Sequence, residues 1–250
     1  MLASPSMATL AVPGPDARRA ERLFYVGMAA LVTVLVFVGF GPSYYLRPIF
    51  RPGHPLSRVL HLHGFVFSMW IVWFVTQTAL VSARRVDLHR KLGMFAAAWA
   101  ALMVPVGAAA ALHVAAAATG DLAVELRRFL AVQAFDLGVF ATLVAAGVMA
   151  RRNPSAHKRL MLLASVSLLP PAVARLPFPP SLPGGIVTIF LICYLAVLPL
   201  VWFDLRTLGR VHRATLWGGL LILVCIPARF LIAASDTWLR IGDWLVRRVG

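Results

Sequence analysis

Seven histidines stand among 250 residues, and five of them are placed where an apolar run begins or ends. His61 and His63 lie just inside the apolar run 58–82, and His113 lies near the far end of a run over 92–117. His89 and His157 occupy two basic turns, with Arg84, Arg85, Arg90 and Lys91 around the first and Arg151, Arg152, Lys158 and Arg159 around the second. A neutral imidazole can ligate a metal or haem iron, or exchange a proton near neutral pH, while its other nitrogen is held by a hydrogen bond. His63, Trp70 and Gln77 recur every seven residues, so on a helix they form one slowly drifting stripe. A histidine and an amide turned toward hydrocarbon would find no partners, so the stripe is predicted to face protein. His61 points to a different side from His63, so the two cannot simply chelate one ion.

Three further polar residues fall inside apolar runs. Gln133 and Asp136 are three apart and share a helix face, and Arg229 lies in the last run at a similar depth. An aspartate there is costly unless paired. One reading is a structural ion pair between Asp136 and Arg229. The other is a ligand, metal or proton site built from His63, Asp136 and Arg229, with His61, His63 and Asp136 as the candidate set for a divalent metal.

The elements that carry these residues follow from composition. Sixty per cent of the residues are hydrophobic, 13% are charged and the mean hydropathy is +0.83, too apolar for a water-soluble domain. The expected fold is all-α, a polytopic integral membrane bundle of about seven transmembrane helices. The spans are expected over residues 23–40, 58–82, 92–117, 129–150, 160–174, 186–203 and 214–234. The 25 residues of 58–82 reach ~37 Å at ~1.5 Å of rise each, enough for a bilayer core with some tilt. Short basic turns place 14 of the 24 lysines and arginines on the side of the amino terminus, which predicts a cytoplasmic amino terminus. In a soluble protein the net charge of +15 would suggest nucleic acid; confined to turns between apolar runs, it is a topology signal, and no nucleic-acid partner is expected.

Residues 1–17 read as a disordered tail, 18–235 as one transmembrane domain without a soluble module, and 236–250 as an amphipathic helix on the membrane surface. The first run reads as a retained span, because no small-x-small cleavage pattern follows it. Pro105 predicts a kink in the third span, and the segment 175–185 a rigid proline-rich connection. Cys193 and Cys225 both lie in apolar runs and imply packing, not a disulfide.

The turns His89-Arg90-Lys91-Leu92-Gly93 and His157-Lys158-Arg159-Leu160-Met161, with His61-Leu62-His63, Gln77 and Arg84-Arg85 before them, carry a resemblance over about residues 57–175. The chain resembles bacterial multi-span families with an HR-x-x-G turn and a later H-x-R-x-M turn, and more distantly is similar to cytochrome b561-like proteins. That resemblance implies haem b between histidines of different helices and electron transfer in a multi-pass protein of the bacterial inner membrane. It makes His61 or His63 with His113 an outer pair of ligands, and His89 with His157 an inner pair. Partners would then be the lipid bilayer and a redox partner or other membrane subunits.

Two other classes compete with a haem-linked redox or haem-handling protein. One is an accessory or transport subunit of a membrane complex, without a cofactor. The other is a metal-dependent membrane enzyme using His61, His63 and Asp136, where a metal-bound water would act as nucleophile. Seven-span hydrolases of the ceramidase and adiponectin-receptor type carry paired histidines in the last span, and this chain has none there beyond His212 at its start. Retinal binding is disfavoured because both lysines, Lys91 and Lys158, lie in turns.

Overall fold

A computed structural model describes residues 14–176 and 186–249, and among these the regular structure is all helical, with no strand. The helices are α1 (Pro15–Phe40), α2 (Arg58–Ser82), α3 (Val86–Ala117), α4 (Gly120–Met149), α5 (Pro154–Ser167), α6 (Ile186–Leu195), α7 (Leu198–Leu208), α8 (Arg213–Ala234) and α9 (Asp236–Arg247). Five are long and apolar enough to cross a membrane: α1 with its π-helical extension to Tyr45, α2, α3, α4 with its last turn to Arg152, and α8. Their outer faces suit lipid. Leu31, Val34 and Val38 line one exposed face of α1, and Leu220, Leu223, Val224 and Leu231 are exposed on α8.

The remaining two expected spans are interrupted. α5 stops at Ser167, and a single turn over Pro170–Val173 follows, because Pro170 and Pro171 have no N–H to donate to the preceding turn. Between α6 and α7 the chain breaks just before Pro199 for the same reason. Pro105 and Pro227, by contrast, are carried inside α3 and α8. Several helices begin earlier than the hydropathy suggested: α3 starts at Val86 and α4 at Gly120, so both reach well into their polar flanks. Residues 1–13 of the expected tail and 177–185 of the proline-rich connection lie outside the described residues, while Pro15–Ala17 are helical.

Consecutive helices pack as neighbours, α2 on α3, α3 on α4 and α4 on α5, and α8 closes against both α4 and α5. The core where they meet contains Val66, Trp70, Met103, Phe140, Leu143, Leu162 and Leu163. Trp70 is 2% exposed and sets its edge against the Phe140 ring at 5.0 Å. α1 closes on the Pro170–Val173 turn, where Gly39 lies so near the Ala172 carbonyl that no side chain fits. At one end of α1, Lys158 at the start of α5 reaches Glu21 at 2.7 Å; at its other end, the Arg175 guanidinium lies 4.7 Å from the Phe40 ring. The segment 154–175 therefore follows the length of α1.

α9 is amphipathic, as the sequence suggested. Ser235 caps it by accepting the Trp238 N–H at 3.1 Å. Its inner side is docked on α3 and α4 by Val246 and by an Arg127 to Asp243 ion pair of 2.9 Å, while Ile241 and Trp244 remain exposed. The guanidinium of Arg128 covers the end of α8, donating to the Ala234 carbonyl at 2.7 Å and to Asp236 at 3.0 Å. A cation among those free carbonyls offsets the negative end of the helix dipole.

Candidate functional site

The residues with the most chemistry gather at the end of the bundle where α2 ends and α3 and α5 begin. The turn from α2 into α3 is tight. Arg84 adopts φ of 60°, and the Arg85 N–H returns to the Leu80 carbonyl at 2.8 Å, a six-to-one closure that reverses the chain within three residues. This reversal lays Gln77, in the last turns of α2, against His89 in the first turn of α3. With its nitrogen toward His89, the Gln77 amide donates to the His89 carbonyl at 3.1 Å and to Nδ1 at 2.5 Å, while its oxygen accepts from the Gly93 N–H at 3.0 Å.

His157 is fixed from a different direction. Asn153 caps α5 by accepting the Ala156 N–H at 3.2 Å, with Pro154 at the first helical position. That start places the His157 Nδ1 2.8 Å from the Gly147 carbonyl near the end of α4. A carbonyl only accepts, so Nδ1 carries the proton and Nε2 keeps its lone pair. The rings of His89 and His157 face one another, with centroids 6.1 Å apart and planes at 80°. Both are half-buried.

The remaining expected site residues are dispersed. His61 is exposed beside the Tyr44 ring at 6.3 Å, and His63 stacks on Phe67 at 4.2 Å with its buried Nδ1 unpartnered. No hydrogen bond or ring contact joins His113 to another histidine among the described residues, so the expected outer pair is not assembled there. Asp136 accepts a hydrogen bond from the Arg229 Nη1, and Arg229, 3% exposed, also donates from Nε to the Cys225 carbonyl at 3.1 Å. The structural ion pair therefore forms. Gln133 is half-buried on the same face of α4. The set His61, His63 and Asp136 does not come together: among the described residues no group of three histidine, cysteine or acidic side chains could hold a metal ion. A divalent cation beside Asp136 would also meet the Arg229 guanidinium.

The Gln77 to His63 stripe does face protein, since Trp70 is buried and the other two are half-buried. The sequence reading missed a buried clasp at the same end as the histidine pair. Arg159, 1% exposed, donates from Nε at 2.8 Å and Nη2 at 2.5 Å to Asp204 Oδ1, and from Nη1 to the Ser155 carbonyl at 2.8 Å. Asp204 Oδ2 accepts from the His212 N–H at 3.0 Å and the Thr215 hydroxyl at 2.5 Å. One carboxylate thus ties α5, α7 and α8 together with every partner satisfied. Read singly, Arg159 and Asp204 are unremarked charges in turns; the available signal was that both sit within a few residues of an apolar run.

Comparison of the chain with protein-family models, with curated proteins and with solved structures finds no match in any of the three.

The donor set was tested against a haem iron or single metal ion. Two imidazoles on opposite sides of one ion, at ~2.1 Å per nitrogen, have ring centres ~6.4 Å apart, close to the separation seen. His157 offers Nε2 as it stands. With the Gln77 amide donating to Nδ1, the neutral His89 carries its proton on Nε2; it offers Nε2 only where that proton moves to Nδ1 and the amide turns over, which sets the amide oxygen 3.1 Å from the His89 carbonyl and its nitrogen against the Gly93 N–H. The spacing of the two rings suits the group, and Gln77 sets which tautomer His89 adopts.

Proposed function

We propose that this chain is a haem-binding membrane redox or haem-handling protein of cytochrome b561-like type, in which His89 and His157 would hold one haem b. The observation that carries this reading is the imidazole pair itself: two rings from different helices, 6.1 Å apart, with the His157 Nδ1 held by the Gly147 carbonyl and the His89 Nδ1 in contact with the Gln77 amide. Bound there, a haem would supply one-electron transfer. The chain's own contribution is to hold both rings, to fix the His157 tautomer through the Gly147 carbonyl, to place the Gln77 amide at the His89 Nδ1, and to keep both rings near one membrane face. Both histidines lie in first turns, which suits exchange with a redox partner at that face.

In this reading the bundle crosses the bacterial inner membrane seven times from a cytoplasmic amino terminus. Supporting it are the contacts of residues 154–175 with both ends of α1, the return of Asp204 to Arg159, and the concentration of basic residues in the turns at that end. A second reading, an accessory or transport subunit without a cofactor, draws on the Asp136 and Arg229 pair, which joins α4 to α8 without needing any ligand.

The test is the visible spectrum of the detergent-purified protein, oxidised and then reduced with dithionite. The expected result is a b-type reduced α-band that His89→Ala and His157→Ala each abolish while still eluting as folded protein, and that His61→Ala, His63→Ala and His113→Ala keep. Gln77→Glu is expected to retain the band and lower the reduction potential, because a carboxylate accepting from Nδ1 makes the ligand more electron-rich. A protein purified colourless from haem-replete cells, or a band that survives both inner-pair variants, would overturn the assignment.

A further inference from the structure

At the same end of the bundle a cavity of about 650 Å³ opens between the start of α5 and the turn joining α7 to α8. It is lined by Asn153, Leu208, Arg210, His212 and Arg213. No acidic side chain lines it. The nearest carboxylate, Asp204, is fully committed to Arg159, Thr215 and the His212 N–H. Arg210 and Arg213 are exposed and form no ion pair among the described residues. Two long helices, α5 and α8, also begin at its wall. The field in the cavity is therefore positive, from two guanidiniums reinforced by two helix dipoles.

The surface next to the cavity says what kind of anion would sit there. Leu198, Trp202, Leu205 and Leu208 follow one another at spacings of four, three and three along α7, and all are exposed. This apolar row ends at the cavity, at Leu208. The Arg206 guanidinium lies 5.4 Å from the Trp202 ring, and Trp217 is 67% exposed on the first turns of α8. Exposed tryptophans with arginines at the end of an apolar surface are the marks of the headgroup level.

We propose that this cavity binds the phosphate of an anionic phospholipid headgroup, with Arg210 and Arg213 as its charged contacts and the α7 row bearing the acyl chains. An arginine fork matches phosphate oxygens two at a time, and a low-dielectric wall strengthens the pair. The site is independent of any haem.

The experiment uses the whole protein in detergent, with bound lipid read by native mass spectrometry and by thermal shift. The probes are short-chain phosphatidylglycerol, phosphatidylcholine of the same chain length, and inorganic phosphate. The expected result is retention and thermal stabilisation by phosphatidylglycerol but not by phosphatidylcholine. Arg210→Gln with Arg213→Gln should weaken phosphatidylglycerol binding ~10-fold or more, while Arg18→Gln with Arg19→Gln, exposed at the start of α1 at the same end but outside the cavity, should not. Equal retention of the two lipids, or an equal loss in both double variants, would overturn the site. Stabilisation by millimolar phosphate alone, with no added effect of the lipid, would overturn the lipid as its occupant.

Discussion

Replacing Asp204 with asparagine removes one charge and leaves the Arg159 guanidinium buried without a counterion. Arg159 is 1% exposed and Asp204 fully buried, so water cannot enter to compensate. Breaking a buried pair from one side costs ~3–5 kcal/mol, because the surviving charge has lost its solvent and its partner together. At roughly 2–4 °C per kcal/mol for a chain of this size, the midpoint should fall by ~6–20 °C. The same physics predicts the opposite for removing both: Arg159→Met with Asp204→Leu leaves no orphaned charge and should recover most of the loss. Thermal unfolding in one detergent at one scan rate, followed by loss of monomer on gel filtration, measures all three proteins. Asp204→Asn should also disturb the histidine pair, since Arg159 is two residues from His157 in the first turns of α5. A single variant within ~2 °C of the parent, or a double variant no better than the single, would show that the clasp contributes little and that this reasoning is wrong.

Two further outcomes follow from the packing. Gly39→Ala sets a Cβ into the Ala172 carbonyl, and because backbone cannot rotate aside, α1 must shift from the Pro170–Val173 turn; a loss of ~1–3 kcal/mol is expected, read as a lower thermal midpoint, whereas Gly27→Ala, where nothing lies within reach, should be neutral or better. His212 caps α8 by accepting the Ala214 N–H at Nδ1 at 3.0 Å, and burial, then the Arg159 charge, holds its pKa below the ordinary 6.5. A base with a lowered folded pKa gives its full stability above 6.5 and loses it as the pH falls below, so between roughly pH 7.5 and 5.5 the parent should lose more thermal stability than His212→Asn, which keeps the cap without titrating. Identical pH profiles would refute that role.

The all-helical membrane architecture was legible because hydropathy and length are local properties. Each of α1, α2, α3, α4 and α8 announces itself in its own residues. The polar pairings were less legible, for differing reasons. Asp136 and Arg229 could be matched by counting depth from helix ends, since each lies in one uninterrupted apolar helix, α4 and α8. Arg159 and Asp204 could not be, because the chain is broken between α6 and α7 and the depth of Asp204 cannot be counted through the break. The capping role of His212 was not legible, because N-cap histidines are uncommon and its neighbours Arg210 and Arg213 suggest an ordinary basic turn.

The meeting of His89 and His157 is the case where local reading fails most instructively. The two are far apart in sequence, and nothing near either one points to the other. What joins them is length: α3 has 32 residues and α4 has 30, so the chain that leaves His89 returns through an antiparallel pair to the same level, where Gly147 and then His157 stand. At ~1.5 Å per residue these helices are ~45–48 Å long, well beyond the ~30 Å of hydrocarbon, so their ends stand in the headgroup zone. Two imidazoles at that level need not be buried in lipid to be held in place. They are held by hydrogen bonds from Gln77 and to Gly147, and by the Arg159 clasp two residues beyond His157. Shortening α3 and α4 together by one turn each should therefore keep the pair matched, whereas shortening α4 alone should separate the rings, because only the second change alters the level at which the chain returns.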